Sequence, residues 1–184
     1  MDVKNLINKS FTQEEAQIIR VAFDFSKSAH QGQKRESGEI YFTHCYQTAL
    51  KLAEWQIDAA TIAAGLLHDI IEDTKNSLED IKKQFGDDIA FLIDGVTKLG
   101  RVKYRQQNND TINSQSENIR KMILALSQDL RVIFIKLADR LHNVKTLTAL
   151  PPQKQKRIAL ETSEIYAPIA YRLGMANLSG ELED

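Results

Sequence analysis

Cysteine occurs once in 184 residues, at position 45, which excludes an internal disulfide and suits a reducing compartment. No apolar run approaches the roughly 20 residues that a membrane-spanning helix needs. The opening MDVKNLINKS also lacks the apolar core of a signal peptide. Neither sign of charge predominates, since 24 lysines and arginines stand against 25 aspartates and glutamates. No global field therefore favours nucleic acid or an anionic membrane, and an anionic ligand must be met by a local patch. Strand-type alternation, internal repeats and low-complexity tracts are missing as well. What remains is a soluble, cytoplasmic, all-α chain of one domain, with 42% apolar and 27% charged residues, long enough for a substantial core.

Helix signals follow one another along the chain. Thr12 and Glu15 form a capping box with Phe11 in the staple position, and Ile18, Ile19, Val21, Ala22 and Phe25 carry an apolar stripe to about His30. The polar segment from Gln31 to Tyr41, with two glycines, reads as a loop. A second helix is expected from about His44 to Trp55. Asp58 caps a third, and Ser77 with Asp80 starts a short one that Gly86 ends. Asp88 to Leu99 repeats the pattern. Residues 101–114 read as a mobile loop, followed by a capping box of Ser114 and Glu117. Leu130 to Leu150 reads as one long core helix, Pro151-Pro152 ends it, and Pro168 predicts a kink near Tyr166 in the last helix.

The chain is organised around AATIAAGLLHDIIEDT, Ala59 to Thr74. Its first nine residues are apolar almost all round, the mark of a helix buried on most sides. Its last two turns place His68 four residues before Glu72 and Asp69 four before Asp73, each pair on one face of a continuous helix. A lone His-Asp pair is common in surface hydrogen bonding. At the end of a core helix the same groups need partners, because burying them unpaired costs several kcal/mol. Imidazole and carboxylate together suit a divalent cation such as Mn. Ligands must then converge from other elements. His44, His68, Asp69 and Asp139 make one plausible quartet, with His142 and then His30 as weaker candidates.

Five ordered motifs go further. They are AHQGQKRESGEIYFTH (Ala29 to His44), LLHDIIEDT (Leu66 to Thr74), FGDDIAFLIDGVTKL (Phe85 to Leu99), ENIRKMILA (Glu117 to Ala125) and IKLADRLHNVKTL (Ile135 to Leu147). With RIALETSEIYAPIAYRLGM (Arg157 to Met175) after them, the chain resembles the hydrolase domain of the RelA/SpoT synthetase/hydrolases, within the HD phosphohydrolases. The resemblance implies a compact multi-helix HD fold with Mn(II) on His44, His68, Asp69 and Asp139. It implies that Glu72 and Asp73 activate water, and that Arg35, Ser37, Asn143 and Thr146 bind nucleotide. The implied substrate is the alarmone (p)ppGpp, split to GDP or GTP and pyrophosphate in control of the stringent response. Arg140, Lys145 and the basic residues of 101–105 are further candidates for offsetting its charge. Synthetase and regulatory domains follow such a segment in long family members. Ile40 and Cys45 depart from the family pattern, which has proline at both positions. Two other readings share the fold: an HD phosphohydrolase for another nucleotide, and a module that senses alarmone without cleaving it.

Overall fold

The computed structural model describes residues 1–100 and 129–183. The loop expected over 101–114 and the capping box of Ser114 and Glu117 lie outside the described residues. The described chain is helical: a short 3-10 turn, then α1 (Gln13–Ala29), α2 (Tyr41–Glu54), α3 (Ala59–Leu67), α4 (Ile70–Asp73), α5 (Leu78–Gly100), α6 (Leu130–Lys145), α7 (Pro152–Glu161), α8 (Ala167–Arg172) and α9 (Ala176–Glu183). Among the described residues β pairing is limited to one isolated antiparallel bridge, Lys34 with Ile40. No helix among them is long and apolar enough to cross a membrane.

Local chemistry sets the helix starts. Thr12 Oγ1 accepts the Glu15 N–H at 3.2 Å while Glu15 Oε2 accepts the Thr12 N–H at 2.8 Å, a complete capping box. Asp58 accepts the Thr61 N–H at 3.0 Å to start α3, and Ser77 and Asp80 exchange the same pair of bonds at the head of α5. Gly86, at φ +86°, breaks α5 in two as its position suggests, because that backbone region favours glycine.

Two helix boundaries differ from expectation. The polar loop is a small hairpin: Arg35 and Glu39 bond across it, Gly38 turns at φ +81°, and the Tyr41 N–H reaches Gln33. That closure starts α2 at Tyr41, three residues early, with no capping side chain at Ile40. The long helix expected to Leu150 stops at Lys145, where the Thr146 hydroxyl takes the His142 carbonyl at 3.1 Å and a 3-10 turn follows. The last helix breaks near Tyr166 as Pro168 predicts, passing through a π turn over Thr162–Tyr166 just before that proline, which has no N–H for the helical ladder.

The core helix is where the sequence puts it. Ile62, Ala63, Ala64, Leu66 and Leu67 are almost fully buried, and α3 packs against α1, α2, α5 and α6. Gly65 lets α2 approach: a Cβ there would stand 2.5 Å from Leu52 Cδ1. The end of α3 is thereby delivered, out of solvent, between α2 and α6.

Candidate metal centre

The stretch from Ala59 to Thr74 is not one continuous helix. The Gly65 carbonyl, which a continuing helix would offer to the Asp69 N–H, takes His68 Nδ1 at 2.8 Å. The helix ends at Leu67 and resumes as α4 after a turn at His68 and Asp69. Their side chains leave the helical ridge and point together into the gap that α2 and α6 border.

Four side chains converge there. His44 Nε2 lies 3.5 Å from Asp69 Oδ2 and 3.2 Å from Asp139 Oδ1. His68 Nε2 lies 3.2 Å from Asp69 Oδ1 and 3.9 Å from Asp139 Oδ1. His44, His68 and Asp139 are buried, and Asp69 is 17% exposed. An octahedral ion with bonds of about 2.1 Å has neighbouring ligands about 3 Å apart, the spacing of three of these four pairs.

The histidine protons point the same way. His68 Nδ1 can only donate to the Gly65 carbonyl, so in the neutral ring Nε2 carries the lone pair, and that buried Nε2 has no hydrogen-bond partner. Burial lowers the His68 pKa, but Asp69 and Asp139 outweigh it and push it up to about 9. The field that favours a proton on Nε2 favours any cation there. Burial works against the charge on both aspartates too, yet His68 and His44 hold Asp69 well below the usual carboxylate range. Lys136 and the same two histidines do so for Asp139. The donor set fits a divalent metal ion.

Further groups surround this cluster. The Tyr41 hydroxyl lies 2.9 Å from Asp69 Oδ2 and 2.5 Å from Asp73 Oδ2, and burial with those two carboxylates raises its pKa far enough to keep the phenol protonated. Lys136 Nζ donates to Asp139 Oδ2 at 2.6 Å and Asn143 Nδ2 to Asp139 Oδ1 at 2.6 Å. Of these, Lys136 and Asn143, three residues before Asp139 and four after it, stood where helical spacing foretells contact. His30 is fully buried. It stacks on Tyr41 at 4.7 Å and bonds Gln33, whose amide donates to the Asp73 carbonyl. Cys45 Sγ is close to His68 and Asp69, but burial, with Asp69 beside it, pushes its thiol well up.

The other candidates are distributed. Glu72 and Asp73 are exposed on α4. Arg35 Nη2 donates to Asn143 Oδ1 at 2.5 Å, joining the hairpin to α6. Ser37 is exposed at the hairpin turn, where its hydroxyl accepts the Glu39 N–H, and Thr146 closes the end of α6. Arg140 turns away: it pairs with Glu161 at 3.0 Å and lies 4.4 Å over the Tyr166 ring. Lys145 pairs with Glu181 at 3.2 Å.

Known proteins share both this sequence and this fold. The guanosine-3′,5′-bis(diphosphate) 3′-pyrophosphohydrolase of Aquifex aeolicus (strain VF5) is 50% identical over 171 residues, 93% of this chain and 24% of its own length. The bifunctional (p)ppGpp synthase/hydrolase SpoT of Escherichia coli (strain K12) is 46% identical over 182 residues, 99% of this chain and 25% of its own. A GTP pyrophosphokinase of Streptomyces coelicolor is 49% identical over 90% of this chain and 19% of its own length. The chain thus spans about a quarter of the length of the first two relatives. Its fold matches a metazoan ortholog of SpoT that hydrolyzes ppGpp, with a TM-score of 0.69 at 21% identity, over 96% of this chain and 95% of that one. The HD-domain description matches residues 22–176, and the chain belongs to the HD-domain family.

Proposed function

We propose that residues 1–184 form one hydrolase domain that removes the 3′-diphosphate of (p)ppGpp, with Mn(II) held by His44, His68, Asp69 and Asp139. The observation that carries this reading is the inward-facing set of two imidazole Nε2 atoms and two carboxylates at the end of a buried helix. Imidazole nitrogen with carboxylate oxygen suits a borderline to hard divalent ion, which favours Mn(II). The activities named for the relatives supply the substrate class.

A bound divalent ion supplies Lewis-acid polarisation of a phosphoryl oxygen. The chain's own groups do the rest. Glu72 takes a proton from the attacking water as general base, and Asp73, tied to Tyr41, orients that water. The water oxygen bonds to the phosphorus on the ribose 3′-oxygen. The bond to that oxygen breaks, and a proton completes the 3′-hydroxyl as pyrophosphate departs. Arg35 and Ser37 on the hairpin, Asn143 on α6 and Thr146 at its end hold the nucleotide, with Arg35 and Asn143 already joined into one wall.

Incubation with ppGpp and Mn(II), followed by anion-exchange separation, tests this. GDP and pyrophosphate are expected, with GTP and dGTP left intact and turnover abolished by a chelator. Cleavage of dGTP would move the chain to another branch of the HD hydrolases. Tight retention of uncleaved ppGpp would make it a sensor.

A further inference from the structure

His142 lies 2.9 Å from His44 through their two Nδ1 atoms, and the same His142 Nδ1 lies 3.1 Å from Arg35 Nη1. A guanidinium has donors only, so His142 Nδ1 is an acceptor. The proton between the two imidazoles therefore sits on His44 Nδ1. That leaves the lone pair of His44 on Nε2, the atom that faces Asp69 and Asp139. The ring is held in plane and in tautomer by a residue on another element, 98 positions away in sequence.

We propose that His142 is a positioning residue for the metal centre: through Nδ1 it fixes the tautomer and orientation of His44, and it carries Arg35 on the same atom. The hairpin is thereby connected to the centre twice from one side chain. One path runs from Arg35 through His142 to His44, the other through Asn143 to Asp139. His142 ligates nothing and touches no reacting atom. The proposal rests on His44 being a ligand.

The test is metal binding without nucleotide. Partners that orient metal ligands typically carry about 10–100-fold in metal affinity, so His142→Ala should weaken Mn(II) binding by that factor in calorimetry. His142→Asn, whose amide oxygen can accept the same proton, should restore most of it. In the protein loaded with diamagnetic Zn(II), the His44 Nδ1 proton should be protected from exchange, and should lose that protection in His142→Ala. A role confined to packing would lower the melting temperature of both variants and leave that proton and the affinity ratio unmoved. His142→Ala with wild-type Mn(II) affinity and a protected His44 proton overturns the proposal alone. A wild-type chain that holds neither metal overturns the reading of His44 as a ligand, and the proposal with it.

Discussion

Glu72 and Asp73 stand in the solvent-facing part of α4, four residues beyond His68 and Asp69 respectively, and in the proposed function this separates holding from reacting. His68 and Asp69 are tied to their neighbours, while Glu72 is exposed, where the proposed reaction needs a water and a substrate. Glu72→Gln keeps the size and removes the base, so it should bind Mn(II) and ppGpp normally while turnover falls about 10²–10⁴-fold. Calorimetry and single-turnover hydrolysis on one preparation check both halves; a wild-type rate eliminates the role. At this scale the sequence was legible in its types and mute on its neighbours. That His44, His68, Asp69 and Asp139 meet was one plausible reading of their pattern, and the family resemblance implied the same four. That Tyr41 spans Asp69 and Asp73, or that His142 bonds His44, was not readable, since these contacts join separate elements and follow no period. Arg140 shows the reverse error: a cation beside a candidate ligand read as electrostatic help, yet helix phase turns it to Glu161 and Tyr166.

Among the elements, the caps were legible because they are local: Thr12, Asp58 and Ser77 satisfy backbone donors within three residues of themselves. The break after Leu67 was hidden, because helical spacing assumes that the backbone keeps its own bonds, and His68 takes one of them. Gly65 matters twice here, as the carbonyl that receives His68 and as the close approach to Leu52. Gly65→Ala gains roughly 1 kcal/mol of helix propensity. Against that, crowding a fully buried Leu52 costs about 1–3 kcal/mol, so a net loss on the order of 1 kcal/mol is expected. Thermal unfolding should fall by roughly 2–4 °C. An unchanged or higher midpoint would mean that Leu52 yields freely.

The start of α6 carries a pH dependence of definite sign. Asp129 caps the Arg131 N–H at 2.9 Å, and Arg131 bridges Asp129 and Asp88 with contacts of 2.7 Å to each. Arg131 holds the Asp129 carboxyl below its ordinary value. A carboxyl lowered in the folded state stabilises fully above its unfolded pKa, near 4, and loses that contribution as pH falls through the folded value. Asparagine caps helices as well as aspartate does, so Asp129→Asn isolates the charge. The variant should melt below wild type at pH 7, and the gap should close as pH falls below about 4 and through the lowered folded value. A gap that is constant across that range would place the effect in the cap instead.

Across the whole molecule, the candidate ligands come from α2, the turn between α3 and α4, and α6, and these elements enclose much of the core. Held apart in the unfolded chain, the four side chains cannot bind one ion together, so metal binding and folding draw on the same contacts. A ligand that binds only the folded state adds about 2.7 kcal/mol of stability at 100 times its Kd. For a chain of this size that raises the melting midpoint by roughly 5–10 °C. Saturating Mn(II) should produce such a rise and excess EDTA should reverse it. Asp139→Ala removes a candidate ligand that also balances Lys136, so its midpoint should be lower without metal, and it should no longer respond to Mn(II). The second measurement is the decisive one, because lost packing alone lowers the midpoint but leaves the response to metal intact. A full Mn(II)-dependent rise in Asp139→Ala would remove Asp139 from the centre and leave its carboxylate as a counter-charge for Lys136.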